Sequence, residues 1–318
     1  MTKRNAPQLL KLHFAVRLFI SLVVLQFISL SVFAQQKAMF TQYMFNGLAI
    51  NPAYSAVDEA FSVTALTRHQ WVGFKGAPNT QNLSIHSPIK ESNTSVGFMV
   101  MRDQIGEVIK ENSAFITLAQ RVEISEDTYL AVGLDAGISK YVAAYSEVSG
   151  SNSAEDPVFE DENDLRSNFG FGVMLFSDKF YAGFSSPYFY YRDLGDFSNN
   201  SSTAYRPHYI LQGGYLMNLG EDFKLKPNVL VKYVNGSPMQ IDLNANLLIK
   251  ETIWLGASWR SFDSMDFLAQ IQLTPKLQLG YSYDFTTSAL SQVQKGSHEV
   301  MLNLRLPIKG RNFPRCYF

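Results

Sequence analysis

Residues 239–250 read Met-Gln-Ile-Asp-Leu-Asn-Ala-Asn-Leu-Leu-Ile-Lys. Met239, Ile241, Leu243, Ala245, Leu247 and Ile249 fall on one side of a period-2 zigzag, and Gln240, Asp242, Asn244 and Asn246 on the other. At the 100° per residue of a helix this order would smear polar and apolar groups round the axis; at 180° it gives two clean faces. The stretch is therefore a strand. Its length suits a bilayer crossing, which takes ~9–11 residues of tilted strand.

Working outward, the same pattern recurs. Phe223, Leu225, Val229, Val231 and Tyr233 alternate with Lys224, Lys226, Asn228 and Lys232. Leu277, Leu279, Tyr281, Tyr283 and Phe285 oppose Gln278, Gly280, Ser282 and Asp284, and Val300, Leu302, Leu304 and Leu306 oppose Asn303 and Arg305. Fourteen segments of this kind follow one another: 60–71, 79–86, 94–103, 112–124, 128–140, 168–176, 179–186, 206–219, 222–234, 239–249, 251–260, 265–273, 276–286 and 298–306. The connections test the count. Those after even-numbered segments are short, as at 125–127, 177–178, 220–221, 250–251 and 274–275, with 87–93 longer. The longest, 141–167, 187–205 and 287–297, all follow odd-numbered segments. Bacterial barrels show this alternation, with short periplasmic turns and long external loops. The reading is an all-β, antiparallel transmembrane β-barrel of fourteen strands over 60–306, with a C-terminal tail at 307–318. A soluble β-sandwich also alternates, but on shorter strands and without aromatics concentrated at strand ends.

The totals agree. The 318 residues carry a net charge of −1, with no basic run of the kind nucleic acid selects. Beyond the N-terminus no apolar run reaches the ~18 residues of a membrane helix. Aromatics make up 14% of the chain, which suits interfacial girdles. One cysteine, Cys316, leaves no intrachain disulfide to form. Residues 1–34 read as a cleaved signal peptide: Lys3, Arg4, Lys11 and Arg17 lead into an apolar core from Leu18 to Phe33, with Gln35 as the mature start. A retained membrane helix is the rival, and polar interruptions at Ser21, Gln26, Ser29 and Ser31 speak against it. The expected location is the bacterial outer membrane, integral in its lipid bilayer, with both termini periplasmic. Residues 35–59 do not alternate and are expected to enter one end of the barrel as a plug or to lie beneath it.

Chemistry-bearing patterns are few. The mature chain has His69, His86, His208 and His298. Ser84 and His86 share a strand face, but positions two apart on a strand are separated by ~6.6 Å, too far for a nucleophile–base hydrogen bond. No G-x-S-x-G, H-E-x-x-H or cofactor motif occurs. The acids Glu155, Asp156, Glu160, Asp161, Glu162 and Asp164 lack the order of a calcium loop, and a solvated loop is the simpler reading. Lys224, Lys226, Lys232, Asp242, Asp266, Asp284 and Arg305 are expected inside the lumen, where mixed signs suggest ion pairs. Fourteen strands lie between barrels filled by side chains and open porins, so a partly filled lumen is expected.

Several stretches together resemble the PorP/SprF family of Bacteroidota outer-membrane proteins. They are Phe40-Thr41-Gln42-Tyr43-Met44-Phe45-Asn46, Ile50-Asn51-Pro52-Ala53-Tyr54, Arg68, Gln70-Trp71-Val72-Gly73-Phe74 and Gly76-Ala77-Pro78. The Ser84, His86, Pro88 spacing, Lys226-Pro227, Val231-Lys232-Tyr233 and Asp242-Leu243-Asn244-Ala245-Asn246 extend the match. So do Trp254–Ser258, Arg260, Gly280-Tyr281, Tyr283-Asp284 and Gly296–Glu299. Ser55-Ala56 departs from the Ala-Gly expected after Asn-Pro-Ala-Tyr. The resemblance implies a non-enzymatic role in type IX secretion. It implies as partners a secreted surface protein with a C-terminal sorting domain, such as a gliding adhesin, other secretion components, and a periplasmic peptidoglycan-binding protein. It marks Phe40, Gln42, Tyr43, Asn46, Asn51, Pro52, Tyr54, Gln70, Trp71, His86, Lys232, Asp242, Asn244, Asn246 and His298 as structural or partner-contact positions. A porin-like diffusion channel or small-molecule transporter is the alternative, and a membrane hydrolase acting through His86 a third.

Overall fold

The structure is a computed structural model that describes residues 37, 39–90, 92–147, 160–193 and 206–309. Fourteen antiparallel strands follow in chain order: β1 (Phe61–His69), β2 (Asn79–Pro88), β3 (Thr94–Ile105), β4 (Ile109–Ser125), β5 (Thr128–Ala143), β6 (Glu162–Ser177), β7 (Phe180–Asp193), β8 (His208–Tyr215, resuming at Met217–Asn218), β9 (Phe223–Val234), β10 (Gln240–Ile249), β11 (Ile253–Arg260), β12 (Ser264–Thr274), β13 (Leu277–Thr286) and β14 (Ser297–Leu306). Each pairs with the next, and β14 pairs with β1 from Phe61↔Leu306 to His69↔His298, so the sheet closes on itself. Closure leaves no strand edge, which is the condition for a sheet to stand in hydrocarbon. No α-helix occurs among the described residues. The fourteen strands belong to one compact unit; Gly236, at φ 82°, turns the chain in the other.

The period-2 faces sort as the sequence demands. On β10, Asp242, Asn244, Asn246 and Leu248 are buried, while Leu243 and Ala245 are exposed. The outward rows, among them Ile116, Leu118, Val132, Leu134, Phe267 and Leu302, form an apolar belt that water would not tolerate and lipid does. Outward rings also stack across strands: Phe184 on Tyr209 with centroids 6.3 Å apart, and Tyr209 on Tyr233 at 6.4 Å. Such cross-strand pairs help hold register.

Four strands run past their expected limits. β4 starts at Ile109, β5 reaches Ala143, β6 starts at Glu162 and β7 reaches Asp193, so pairing continues beyond the length a bilayer needs. The connections at that end shrink accordingly, to 144–161 and 194–207.

Residues 39–58 lie inside the barrel. Three short 3-10 turns, Tyr43–Phe45, Gly47–Ala49 and Pro52–Ala56, compact this segment. Asn51 is extended (φ −150°, ψ 114°), as a residue before proline should be, and its side chain accepts the Ala53 N–H at 2.9 Å to cap the third turn. Lys37 lies at the end of the barrel carrying the odd-numbered connections, beside Glu111 and Lys232. Asp58 lies at the opposite end, joined to Arg305. Lys37 and Leu306 therefore sit at opposite ends of the barrel, because the segment ahead of β1 crosses the lumen.

Candidate functional site

The lumen, with the segment packed across it, is the feature that sets this barrel apart from a plain tube. Thr41, Gln42, Tyr43, Asn46, Asn51 and Ser55 are at most 2% exposed. Burying so much backbone outside a sheet requires a partner for each polar group, and the wall supplies many. Glu299 on β14 accepts two backbone N–H groups, Thr41 at 2.9 Å and Gln42 at 2.8 Å. The Thr41 hydroxyl donates to Asp284 at 2.8 Å and accepts from Arg68 at 3.0 Å. Arg68 in turn pairs with Asp284 at 2.5 Å and Glu299 at 3.3 Å. A second guanidinium, Arg260, meets Asp242 at 3.1 Å and Asp266 at 3.6 Å. Of the charges expected in the lumen, Asp242, Asp266 and Asp284 thus join Arg68, Arg260 and Glu299 in a buried ionic network, and Thr41 is the segment's foothold in it.

Further along, Asn46 donates to Asn82 at 3.0 Å and accepts from the Ser84 hydroxyl at 2.6 Å. Gln270 donates to Gln42 at 3.1 Å, and Ser185 donates to the Ile50 carbonyl at 2.6 Å. Asn51 reaches the Val173 carbonyl at 3.3 Å. Phe45 packs edge-on against Trp254 at 5.6 Å, and the Lys226 ammonium lies 4.2 Å from the centre of the Phe45 ring. Tyr54 meets His86 edge-on at 5.6 Å. The approach is close enough that the wall must lack side chains in places. A β-carbon on Gly133 would lie 2.5 Å from the Pro52 carbonyl carbon, and one on Gly172 would lie 2.8 Å from the Asn51 side-chain carbonyl carbon. Between the segment and the wall, Tyr43, Met44, Gly47, Tyr54, Met174, Tyr181 and Gln212 line a void of about 10 Å³. That is room for about one water.

The structure thus gathers most positions marked in the sequence. Phe40, Gln42, Tyr43, Asn46, Asn51, Pro52 and Tyr54 belong to the interior segment, and His86, Lys232, Asp242, Asn244 and Asn246 face the lumen from the wall. Gln70 and Trp71 stand apart, in the β1–β2 connection, where the Trp71 N–H meets the Ser297 hydroxyl at 3.2 Å. His298 also stands apart: it faces outward, held by the Tyr281 hydroxyl at 2.7 Å beside Tyr283. Asp284, expected in the lumen, is joined in the network by Thr41, Arg68, Arg260 and Glu299, which lie in stretches of the family resemblance but were not among the marked positions. Strand parity places each wall member inward, but nothing local says that they meet. Ser84 spends its hydroxyl on Asn46 and Asn82, away from His86. Of the acidic run, Asp161 accepts from Ser146 at 2.9 Å, while Arg166 binds Glu162 at 3.2 Å and Asp164 at 2.7 Å. Glu155 and Asp156 lie outside the described residues.

Solved structures similar to this chain include the KdgM porin in complex with disordered oligogalacturonate. It has a TM-score of 0.41 and 10% identity, over 77% of this chain and 99% of that one. Omp33 of Acinetobacter baumannii gives 0.44 and 12%, over 80% and 100%. Outer membrane phospholipase A from Escherichia coli gives 0.39 and 11%, over 80% and 96%. Likenesses of this size carry no argument about substrate or chemistry. No curated protein matches the chain. A family model described as "Type IX secretion system membrane protein PorP/SprF" matches residues 32–304, most of the sequence. The chain belongs to the PorP/SprF family of type IX secretion system membrane proteins.

Proposed function

We propose that this protein is a non-enzymatic outer-membrane scaffold of type IX secretion, whose barrel is closed by its own N-terminal segment. Its odd-numbered connections hold an exported partner with a C-terminal sorting domain, such as a gliding adhesin, at the cell surface. The opposite end meets the other secretion components, including a periplasmic peptidoglycan-binding protein. The observation that carries this reading is the filled lumen: residues 40–56 are hydrogen-bonded to the wall strands, where a diffusion channel needs water. Family membership points to secretion, and connections on a rigid barrel are well placed for protein contacts.

Deleting the gene while following surface display of the partner tests the proposal. Loss of display is expected, with the partner held back in the cell. Normal display and normal motility would sink it. A porin-like channel predicts instead that the purified barrel conducts in planar bilayers with a dependence on solute size. A hydrolase predicts lipid cleavage that disappears in His86→Ala.

A further inference from the structure

We infer that residues 37–58 form a strap threaded through the whole barrel, entering the lumen from the cell-surface end and leaving it at the periplasmic end just before β1. The contacts give the direction of travel. Lys37 pairs with Glu111, three residues from the β3–β4 turn at Gly106–Val108, and its carbonyl accepts from Lys232 at 3.3 Å, near the close of β9. Thr41 sits on Arg68, Asp284 and Glu299, each within three residues of the same end of its strand. Asn46 and Asn51 then bind mid-strand positions. Asp58 closes the path on Arg305 at 2.6 Å, one residue before β14 finishes, and Glu59 pairs with Arg121 near the end of β4.

Which end faces the surface follows from the connections. At the Lys37 end they include 70–78, 144–161, 194–207 and 287–296; at the Asp58 end most are turns of two to four residues, such as 126–127 and 275–276. Long connections belong outside and short turns in the periplasm. The route also fits by length. A chain of this span reaches roughly 70 Å when extended, more than twice the ~30 Å of hydrocarbon, and the 3-10 turns take up the slack.

Threading has a consequence for assembly. A strap with wall contacts at every level is best enclosed as β1 and β14 zip together, since sliding it in afterwards would drag Asn, Gln and Thr side chains past one another unpaired. This inference goes beyond the proposed role in display, and its test does not depend on that role.

The test uses the full-length chain in its own cells, with Cys316→Ser removing the native thiol. Lys37→Cys and Lys309→Cys are treated separately with a membrane-impermeant maleimide on intact and on permeabilised cells. Heat-dependent gel mobility checks that each barrel has folded. The expected result is that Lys37→Cys labels fully on intact cells, while Lys309→Cys labels only after permeabilisation. Because loss of the Lys37 pair could loosen the strap, a protease site inserted immediately ahead of Lys37 gives a second reading, and cleavage on intact cells is expected. If either probe at position 37 needs permeabilisation in a folded barrel, the threading direction is wrong. Labelling of both cysteines on intact cells overturns it equally.

Discussion

An Arg68→Met variant keeps the reach of the side chain and deletes its charge. Arg68 is 2% exposed and lies 2.5 Å from Asp284 and 3.3 Å from Glu299, on adjacent strands. Removing one member of a buried ionic group leaves its partners uncompensated and costs about 3–5 kcal/mol. The two orphaned carboxylates are not equivalent. Glu299 keeps the Thr41 and Gln42 N–H groups, whereas among the described residues Asp284 keeps the Thr41 hydroxyl and Arg260 at 4.0 Å. Adding Asp284→Asn to Arg68→Met should therefore recover more than half of the loss. Adding Glu299→Gln should recover less, because the new amide points an NH2 at a backbone donor and leaves that donor unpaired, at about 1–3 kcal/mol. Urea unfolding in lipid vesicles, read by the heat-dependent gel mobility of the folded barrel, orders the four proteins. A single variant within about 1 kcal/mol of the parent, well short of the cost of breaking a buried ion pair, would refute the network. So would Glu299→Gln rescuing better than Asp284→Asn.

Other outcomes test the packing and the faces. Gly133→Ala puts a methyl 2.5 Å from the Pro52 carbonyl carbon and 2.7 Å from the Ala53 α-carbon, neither of which can rotate away. A cost of about 1–3 kcal/mol is expected, with conductance steps in planar bilayers that the parent lacks; a silent, fully stable variant would mean that the segment is not seated there. Phe267→Lys places a charge in the lipid-facing belt and should cost about 2–4 kcal/mol in vesicle unfolding. Phe262→Lys, in the turn beyond β11, should stay within about 0.5 kcal/mol, and the reverse order would misplace the belt. Asn51→Ala removes the cap on Pro52–Ala56 and should lower stability by about 0.5–2 kcal/mol, with Asn51→Ser recovering part; equal loss in both would assign the effect to the Val173 contact instead.

The barrel was legible because its signal is local. Asp242, Asn244 and Asn246 declare their face through their own neighbours in sequence, and β10 appears where the alternation put it. The ends of β6 and β7 were missed for the same reason. In Glu162-Asn163-Asp164-Leu165-Arg166-Ser167 nearly every position is polar, since both faces stand clear of lipid, and what makes it a strand is pairing such as Lys140↔Leu165. The candidate site was half legible. The absence of alternation set 40–54 apart from the strands, and the family resemblance marked its amides and aromatics. Their partners were not readable: Thr41 binds Glu299 across 258 positions of sequence, and only closure of the barrel brings the two together. The direction of the segment was hidden by a stronger rule. Fourteen passes return a chain to the side it left, so an even barrel argues for both ends on one face. Residues 37–58 add one more crossing that forms no strand and shows no period, and a single extra crossing reverses the parity that the fourteen had set.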